Sequence, residues 1–445
     1  MNTSNESTEI YSAGDYRRLS DRIRKNPQSI SIEDLKMLQA LRVTYKEPLA
    51  IIFKTIEKMA YKIDKNSICT YRVKRIESIV SKLIRFPKMQ VQRMEDIAGC
   101  RCIMSDKENV FKLFETIQKN ISTLPFEIKG KIQNYIEEPK QSGYQSIHIN
   151  FALNDNESKR IELQIRCLDQ HNWATLVEIT DLLYQAKLKE YGNRDSPDLF
   201  EFHYLLSKEH QSLSSSEKNR IVDIAEKYHY VERISTVFHK NYIEVRNTWN
   251  RMRLRKQSFF LISTDSSGVP DFEGYSNFEK AEAAYFDMFN NNDDNRNIVL
   301  THLTNPSFEK ISIAYSNYVL TYNNTLIRIL QYLTDCITGA YNGYQIGKFR
   351  KYYNCFYNII DSWLDNKVLE LETLGHDVDV KKSIKKKTEW VSSLMININY
   401  VKSIYSNVHK SIRFKLFHLV PYLFKIQTDK AFRKRIQAEY MKSSG

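Results

Sequence analysis

Three short segments of the chain alternate apolar residues with side chains that can bind phosphate or metal ions. The clearest spans residues 161–166, where Glu162, Gln164 and Arg166 alternate with isoleucine and leucine. Side chains of a strand point to opposite faces with a period of two, so these three polar side chains share one face while the apolar ones are buried. A polar strand face is most often simply solvated, and one such segment alone predicts little.

Two neighbouring segments repeat this design. In the first, Ser146, His148 and Asn150 share a face opposite apolar residues. In the second, the carboxylate of Asp96 comes just before a strand that carries Arg101. One sheet surface bearing carboxylates, a histidine and arginines is suited to binding a polyphosphate together with a metal ion.

Composition indicates a large folded protein with an excess of positive charge. The 445 residues are 42% hydrophobic and 27% charged, which is enough for two or three domains. The net charge of +13 favours anionic partners such as nucleotides, RNA or an acidic protein. No signal peptide and no apolar run of roughly 18 residues is visible, so we expect a soluble cytoplasmic protein without a membrane partner.

The six cysteines predict free thiols in a reducing compartment. They form no CxxC pair and no disulfide-dense pattern. Cys100 and Cys102 share a strand face, where a role as small core residues is favoured over metal ligation.

Hydrophobic periodicity predicts an α+β fold with a mixed sheet flanked by helices. We expect an N-terminal helical extension over residues 1–45 and an α+β domain over 46–190. Its elements are predicted as helices over about 15–65 and 71–86, a strand after Asp96, a helix over 107–120, strands over 145–153 and 160–166, and a helix over 170–187.

Beyond residue 190 we expect a helical linker with a small βαβ module over 191–325, then a basic, aromatic-rich and mainly helical C-terminal region over 326–445. The linker includes a basic helix over 238–256. The module is predicted as a strand at 259–262 ended by the turn 265–268, a helix at 277–289, a strand at 298–300 and a helix at 307–322. Residues 290–297 are expected to form a mobile loop.

Four blocks of the sequence resemble the synthetase domain of the RelA/SpoT family, the pyrophosphokinases that make the alarmones ppGpp and pppGpp. The resemblance covers roughly residues 40–187, and the blocks follow the family's order. The first is RVK at 72–74 with Ser78 and Lys82, and the second is EDIAGCR at 95–101. The third spans 135–148 and contains YI, PK, GY and SIH. The fourth is ELQIR at 162–166 with WA at 173–174. It implies a nucleotidyltransferase-like synthetase domain.

The resemblance implies magnesium chemistry at two carboxylates. Asp96 and Glu162 match the family's magnesium-holding residues, and Glu162 is also the expected base for the attacking ribose hydroxyl. The implied reaction transfers the β,γ-pyrophosphate of ATP to a 3′-hydroxyl, as in a GTP diphosphokinase. Read without the family, Asp96 could cap a turn and Glu162 could be a surface carboxylate.

The matched positions also imply where the two nucleotides bind. For ATP, Arg72 and Arg101 resemble the pair that stacks on adenine, and Lys74, Ser78 and Lys82 resemble the groups that bind the phosphates. For the acceptor, Tyr144 resembles the aromatic that stacks on the base, and Lys140, His148 and Gln164 resemble polar groups lining the site.

The acceptor is left open by three departures from the family pattern. Gln133 and Asn134 replace a basic-acidic pair, and Gln145 replaces an arginine. Fewer charges weaken binding of a free di- or triphosphate. We therefore expect either a synthetase of the stringent response that uses GDP or GTP, or a toxin or phage-defence member acting on tRNA 3′-ends or adenosine nucleotides. A degenerate, non-enzymatic binding module is a third reading, against which the retained carboxylates argue.

The remaining expectations concern regulation and product breakdown. No hydrolase-type ligand set accompanies the His376-Asp377 pair, so we expect a synthetase without hydrolase activity. The basic clusters at 381–387 and 430–435 are read as solvated helix faces, as an RNA-docking surface, or as part of a region that regulates the enzyme through a partner protein.

Overall fold

The computed structural model describes most of the chain up to residue 373. The described residues are 11–186, 188, 195–235, 257–264, 270–290, 297–303, 306, 310–311, 319–343, 345–373 and scattered positions between 396 and 406. Within these ranges no helix is long and apolar enough to cross a membrane. The chain divides into two compact units, the first formed by residues 1–140, 144–174 and 244–317 and the second by the others.

One mixed sheet is the centre of the first unit. Its nine described strands follow the order β3-β5-β6-β2-β1-β9-β7-β8, with β4 paired to β5. β2 and β6 run parallel, and the other paired strands are antiparallel. The strands are β1 (Ile68–Val73), β2 (Ala98–Met104), β3 (Phe126–Ile128), β4 (Gln133–Asn134), β5 (Ile147–Leu153), β6 (Asn156–Cys167), β7 (Phe259–Thr264), β8 (Pro270–Tyr275) and β9 (Asn297–His302).

Helices cover the apolar face of this sheet. Five precede or interrupt the first six strands: α1 (Ala13–Lys25), α2 (Ile32–Val43), α3 (Lys46–Ile63), α4 (Ile76–Arg85) and α5 (Lys107–Asn120). α6 (Leu168–Tyr184) follows β6, short 3-10 helices lie at Val91–Arg93 and Ile121–Thr123, and α9 (Phe278–Asn290) lies between β8 and β9.

The alternation in residues 161–166 buries one side of β6, as predicted. Ile161, Leu163 and Ile165 are fully buried and belong to one core cluster with α3 and α5. Glu162 and Gln164 lie on the opposite face and are partly exposed. Arg166 shares their face but is buried, and its guanidinium contacts His171 Nδ1 at 2.6 Å.

The strand register brings the three predicted polar segments together. Gly99 and Arg101 of β2 lie opposite Glu162 and Gln164 of β6. On the other side of β6, Gln164 pairs with His148 of β5, and Glu162 pairs with the residue two positions further along β5. The shared polar face therefore runs continuously across β2, β6 and β5.

A glycine permits the close approach of the two parallel strands. A Cβ atom at Gly99 would lie 2.7 Å from the carbonyl oxygen of Glu162, which is closer than real Cβ contacts allow. The obstacle is backbone rather than a flexible side chain, so the strands themselves would have to move apart.

The helix predicted over residues 71–86 is wrong in its first part. Residues 68–73 form β1, in the middle of the sheet, and the helix begins only at Ile76. β1 has strand neighbours on both sides and is almost entirely buried, and its β-branched and aromatic residues favour a strand over the helical period read from the following segment. Arg72 is therefore a strand residue, and Lys74 lies in the turn that follows.

The strands of the second αβ segment continue the first sheet. β9 pairs with β1 through residues Cys69 to Tyr71, and the hairpin of β7 and β8 adds to β9. The sequence analysis predicted a small βαβ module here and missed β8. No local sequence pattern reveals the pairing of β9 with β1. Alternation of apolar and polar residues shows which face of a strand is buried, but not which strand lies beside it.

The second unit, described by itself, is helical. Its bounded helices are the later part of α6, α7 (Pro197–Ser207), α8 (Ser215–Lys227), α10 (Val319–Asn342) and α11 (Ile346–Thr373), with a 3-10 helix at His210–Ser212. Ion pairs such as that between Lys218 and Asp335, at 2.6 Å, connect α8 to α10.

Several sequence predictions fall outside the described residues. These are the basic helix over 238–256, the turn at 265–268, nearly all of the loop at 290–297, most of the helix at 307–322, the His376-Asp377 pair, and the basic clusters at 381–387 and 430–435.

Replacing Gly99 with alanine should force the two parallel strands apart. We expect Gly99→Ala to lower the free energy of unfolding by roughly 1–3 kcal/mol, the usual cost of overpacking. Gly14→Ala in α1 is the matched control, because a Cβ there meets its nearest neighbours at an ordinary 3.6 Å. Urea unfolding followed by circular dichroism measures both, and a loss no larger for Gly99→Ala than for Gly14→Ala would contradict the packing argument.

Candidate active site

Asp96 lies between two lysines at the point where β1 ends and β2 begins. Lys74, just after β1, places its Nζ 2.9 Å from Oδ2 of Asp96. Lys82, on α4, places its Nζ 2.7 Å from Oδ1. All three side chains are about one-fifth to one-quarter exposed, so solvent and ligands can reach the cluster.

The two lysines keep Asp96 ionised. Burial by itself would raise the pKa of this carboxyl, but the positive charges of Lys74 and Lys82 and their hydrogen bonds outweigh it, and the net pKa lies below the ordinary 3.8. The cluster carries one negative and two positive charges and so has a surplus of positive charge for an anionic ligand.

α4 adds a phosphate-binding feature beside the lysines. The helix begins at Ile76, and its N-cap residue Arg75 supplies no side-chain hydrogen bond to the first-turn N–H groups. Ser78 lies in that first turn, and Lys82 follows one turn later. The positive end of a helix dipole attracts phosphate.

The second carboxylate, Glu162, is held by two neighbours on the sheet face. Its Oε1 contacts His148 Nδ1 at 2.9 Å, and its Oε2 accepts a hydrogen bond from Gln164 Nε2 at 2.8 Å. On the far side of the imidazole, the Tyr144 hydroxyl contacts Nε2 at 2.8 Å. The hydrogen-bonded chain continues from Gln164 to Nε of Arg101, at 3.4 Å.

These contacts keep Glu162 ionised as well. Burial acts to raise the pKa of Glu162, whereas the hydrogen bond and charge of His148, and the hydrogen bond from Gln164, lower it below the ordinary 4.5. The negative charge of Asp96 raises the pKa of Glu162 slightly, so the two carboxylates interact electrostatically. Two ionised carboxylates that interact electrostatically can together bind a divalent cation.

An aromatic cluster lies next to the Glu162 end of the face. The ring centroid of Tyr144 is 6.1 Å from Tyr135 and 6.4 Å from Trp173. Lys140 Nζ lies 4.3 Å from the Tyr135 ring and 5.3 Å from the Tyr144 ring. Partly buried rings under a cation can stack on a base while the cation binds a phosphate.

The structure brings together the residues that the sequence grouped. One group contains Asp96, Lys74 and Lys82, with Ser78 in the adjoining helical turn. The other contains Glu162, His148, Gln164, Tyr144 and Lys140, and Arg101 contacts this second group through Gln164. Arg72 is exposed on β1 opposite Gly99, on the polar face.

Three contributors to the site were missed. Tyr135 was quoted only as part of a motif, although a second tyrosine near Tyr144 was a signal for an aromatic pair. Asn150 was placed on the polar face but given no role; its Nδ2 donates to Glu95 at 3.1 Å. Arg42 donates from Nε to the Lys74 carbonyl at 3.0 Å, and no sequence pattern marks it.

The donor set fits a magnesium ion that is shared with a polyphosphate. Asp96 and Glu162 supply hard carboxylate oxygens, and both are ionised. Across the described part of the chain, no three histidine, cysteine or acidic side chains converge as an all-protein metal cage would require. Magnesium is commonly held by one or two carboxylates plus water and phosphate, so two suffice.

Comparison with known families agrees with this geometry. Residues 71–189 match the family model described as the region found in RelA / SpoT proteins. The chain carries a RelA/SpoT domain. All eleven predicted site residues fall inside the matched range, and the C-terminal region extends beyond it.

The relatives reported below each align with between about a quarter and two-fifths of the chain. A probable GTP diphosphokinase of Arabidopsis thaliana, RSH2, is 32% identical over 126 residues, which are 27% of this chain and 17% of that protein. GTP pyrophosphokinase YwaC of Bacillus subtilis is 31% identical over 115 residues, 24% of this chain and 53% of that protein. GTP pyrophosphokinase YjbM of the same species is 27% identical over 176 residues, 37% of this chain and 74% of that protein.

Solved structures with some likeness to the chain include two small alarmone synthetases of Bacillus subtilis. Small alarmone synthetase 1, bound to its product pppGpp, has a TM-score of 0.32 and 21% identity over 44% of this chain and 97% of its own. Small alarmone synthetase 2 has a TM-score of 0.31 and 24% identity over 39% of this chain and 90% of its own.

The ion pairs of Asp96 with Lys74 and Lys82 should make the free energy of unfolding depend on pH in the acid range. Because the folded-state pKa of Asp96 is depressed, its ionised form stabilises the fold at pH above about 4. That contribution is lost as the pH falls below 3.8 towards the lower folded-state pKa. We expect Asp96→Asn to be less stable than the wild type at pH 6, with the difference shrinking at pH 3.

Urea unfolding at the two pH values measures this difference. Asp155→Asn, a carboxylate change in the exposed turn between β5 and β6, serves as the control and should show no such pH dependence. A gap between Asp96→Asn and the wild type that is constant with pH would refute the role of the lysine pair.

Proposed function

We propose that the protein is an ATP-dependent pyrophosphokinase that transfers the β,γ-pyrophosphate of ATP to the 3′-hydroxyl of GDP or GTP. The observation that supports it best is that a RelA/SpoT domain places a lysine-flanked Asp96, just before β2, within electrostatic range of a histidine-flanked Glu162 on the neighbouring strand. Phosphoryl-type transfer needs charge neutralisation and an aligned hydroxyl more than covalent catalysis, and the face provides groups for both.

The ATP end of this surface is the cluster around Asp96. Lys74 and Lys82 already lie in ion pairs, so phosphate oxygens can replace the carboxylate as their partner with little loss of electrostatic energy. The exposed guanidinium of Arg72, together with Arg101, can stack on adenine. Ser78 and the first turn of α4 would complete the phosphate site.

The acceptor end is the cluster around Glu162. Its ionised carboxylate can accept a hydrogen bond from the ribose 3′-hydroxyl and so orient it for attack. The lowered pKa makes Glu162 a weak base, which is sufficient if the transition state is loose and the proton leaves late. His148 is held between Tyr144 and Glu162, and that contact fixes the orientation of the carboxylate.

Magnesium dependence is general in this family, and Asp96 and Glu162 are the residues that would hold the ion here. When bound, the ion would neutralise charge on the transferred phosphates. With an ion at Asp96, Lys74 and Lys82 would no longer form ion pairs with this carboxylate. Both lysines would then be available to bind phosphate.

A second acceptor class is favoured by the neutral residues at the acceptor end. Gln145 accepts a hydrogen bond from Gln170 Nε2 at 3.2 Å, and Gln133 accepts one from the Tyr135 hydroxyl. These amides bond to the protein itself and bring no charge to a free nucleotide's phosphates. The alternative function is therefore a toxin or phage-defence enzyme that modifies tRNA 3′-ends or adenosine nucleotides under control of its C-terminal region.

The acceptor can be identified by supplying ATP labelled on its γ-phosphate with GDP, GTP, ATP or deacylated tRNA. We expect label on GDP or GTP in a magnesium-dependent reaction. Label on tRNA or on an adenosine nucleotide alone would replace the proposed function with the alternative. Label on none of the four acceptors would overturn both.

Variants of the two carboxylates test the assignment of the chemistry. Asp96→Asn and Glu162→Gln should each reduce transfer by at least about 100-fold, because each removes a charge needed at the reacting phosphates or hydroxyl. Glu108→Gln is the matched control, since its side chain is 77% exposed on α5. Near wild-type transfer by either site variant, with folding confirmed by circular dichroism, would break the metal assignment.

Tyr144 should affect the acceptor more than ATP. We expect Tyr144→Ala to raise the KM for the acceptor roughly 5- to 100-fold, the value of one base stack, with little change in the KM for ATP. Tyr144→Phe keeps the ring and loses only the contact with His148, so its acceptor KM should stay closer to that of the wild type. Equal rises in both KM values would argue against stacking.

A further inference from the structure

We propose that Tyr285 and Arg42 are positioning residues for ATP, because they hold the backbone on which Lys74 is mounted. Neither residue lies in the matched range 71–189, and Tyr285 follows Lys74 by more than two hundred positions. The inference rests on the proposed function in one respect, namely that Lys74 binds the phosphates of ATP.

Tyr285 reaches β1 from the helix that follows the hairpin of β7 and β8. Its ring lies 5.4 Å from that of Tyr71 on the buried side of β1, and both side chains are fully buried. Its hydroxyl oxygen accepts a hydrogen bond from the backbone N–H of Val73 at 2.9 Å. The packing of the two rings fixes where this hydroxyl lies.

The hydrogen bond between Val73 and Tyr285 lies just beyond the last residue of β1 that pairs with β9. β9 pairs with β1 only as far as Tyr71. The next N–H that points towards that side of β1 is the one on Val73, because the N–H of Lys74 points the other way and donates to the Ile97 carbonyl at 2.7 Å. Tyr285 therefore supplies the acceptor that β9 no longer provides.

Arg42 holds the other side of the same peptide segment. Its Nε donates to the Lys74 carbonyl at 3.0 Å, and its side chain is buried where α2 ends. Arg42 Nη1 in turn donates to Gln39 Oε1 at 2.6 Å, which restrains the guanidinium. Three backbone groups of this segment, Val73 N–H, Lys74 N–H and Lys74 C=O, thus have partners from α9, the segment just before β2, and α2.

These hydrogen bonds fix the backbone position from which the Lys74 side chain extends. A lysine has a flexible four-carbon chain, so its ammonium is placed well only if its backbone is fixed. The bond from Lys74 N–H to Ile97 also ties it to the residue next to Asp96. Loss of the Tyr285 hydroxyl would leave a buried N–H without an acceptor and would let this segment move.

The test compares Tyr285→Phe with Tyr275→Phe in the full-length chain. Both changes remove one tyrosine hydroxyl from the same sheet, but the hydroxyl of Tyr275 donates to Glu273 on its own strand, β8. Calorimetric titration with ATP in the absence of acceptor gives the affinity, steady-state transfer gives the two KM values, and thermal unfolding reports stability.

We expect Tyr285→Phe to weaken ATP binding roughly three- to thirtyfold and to raise the KM for ATP without changing the KM for the acceptor. Tyr275→Phe should leave both unchanged. Unaltered ATP affinity in Tyr285→Phe, or equal rises in both KM values, would show a merely structural role and overturn the inference.

The same measurements on the wild type test the proposed function independently of the inference. A wild type that binds ATP but transfers no pyrophosphate would refute the proposed function, while the affinity ratio of Tyr285→Phe to wild type would still decide the inference. A wild type that does not bind ATP would refute both.

Discussion

The parallel pairing of β2 with β6 is the constraint on which the rest of the site depends. It sets Gly99 against the backbone of Glu162 so closely that no Cβ fits between them. With this register, Arg101 lies beside Gln164, and Asp96 comes just before β2 within electrostatic range of Glu162. A slip of β2 by one residue would turn Arg101 to the core face and away from Gln164.

Asp96 and Glu162 both stay ionised in partly buried surroundings, but for different reasons. Asp96 is neutralised by a pair of lysines that can exchange it for phosphate, whereas Glu162 is hydrogen-bonded by neutral or titratable neighbours on its own sheet face. The first cluster is suited to accepting negative charge, and the second to orienting a hydroxyl. This asymmetry distinguishes the end that we propose binds ATP from the end that we propose binds the acceptor.

The structural unit that holds the site is larger than the matched domain. β1 is packed from one side by α3, which precedes the match, and is extended by β9, which lies far beyond it. Phe53 of α3 and Phe278 of α9 both contact the ring of Tyr71. Segments before and after the RelA/SpoT match therefore stabilise the strand that carries Arg72 and leads into Lys74.

Much of the site could be predicted because strand alternation is a local property. The period of two placed Glu162 with Gln164 and His148 with Asn150, and it marked the fully buried Ile161 and Leu163 from residue type alone. The same local signals failed at β1, where a basic amphipathic helix that begins at Ile76 was read too far back. The β-branched and aromatic residues of 68–73 favour a strand, but the helical period of the following segment hid this signal, and the flanking strands that bury β1 are distant in sequence.

The sequence by itself determined which side chains share a face and which chemistry they can perform. The tertiary structure alone decided that β9 continues the sheet, that Lys74 and Lys82 meet at Asp96, and that Arg42 and Tyr285 reach the turn after β1. The physical reason is that periodicity acts over a few residues. Strand partners, close glycine contacts and hydrogen bonds to backbone N–H groups join residues that are tens to hundreds of positions apart, and nothing in the local pattern specifies them.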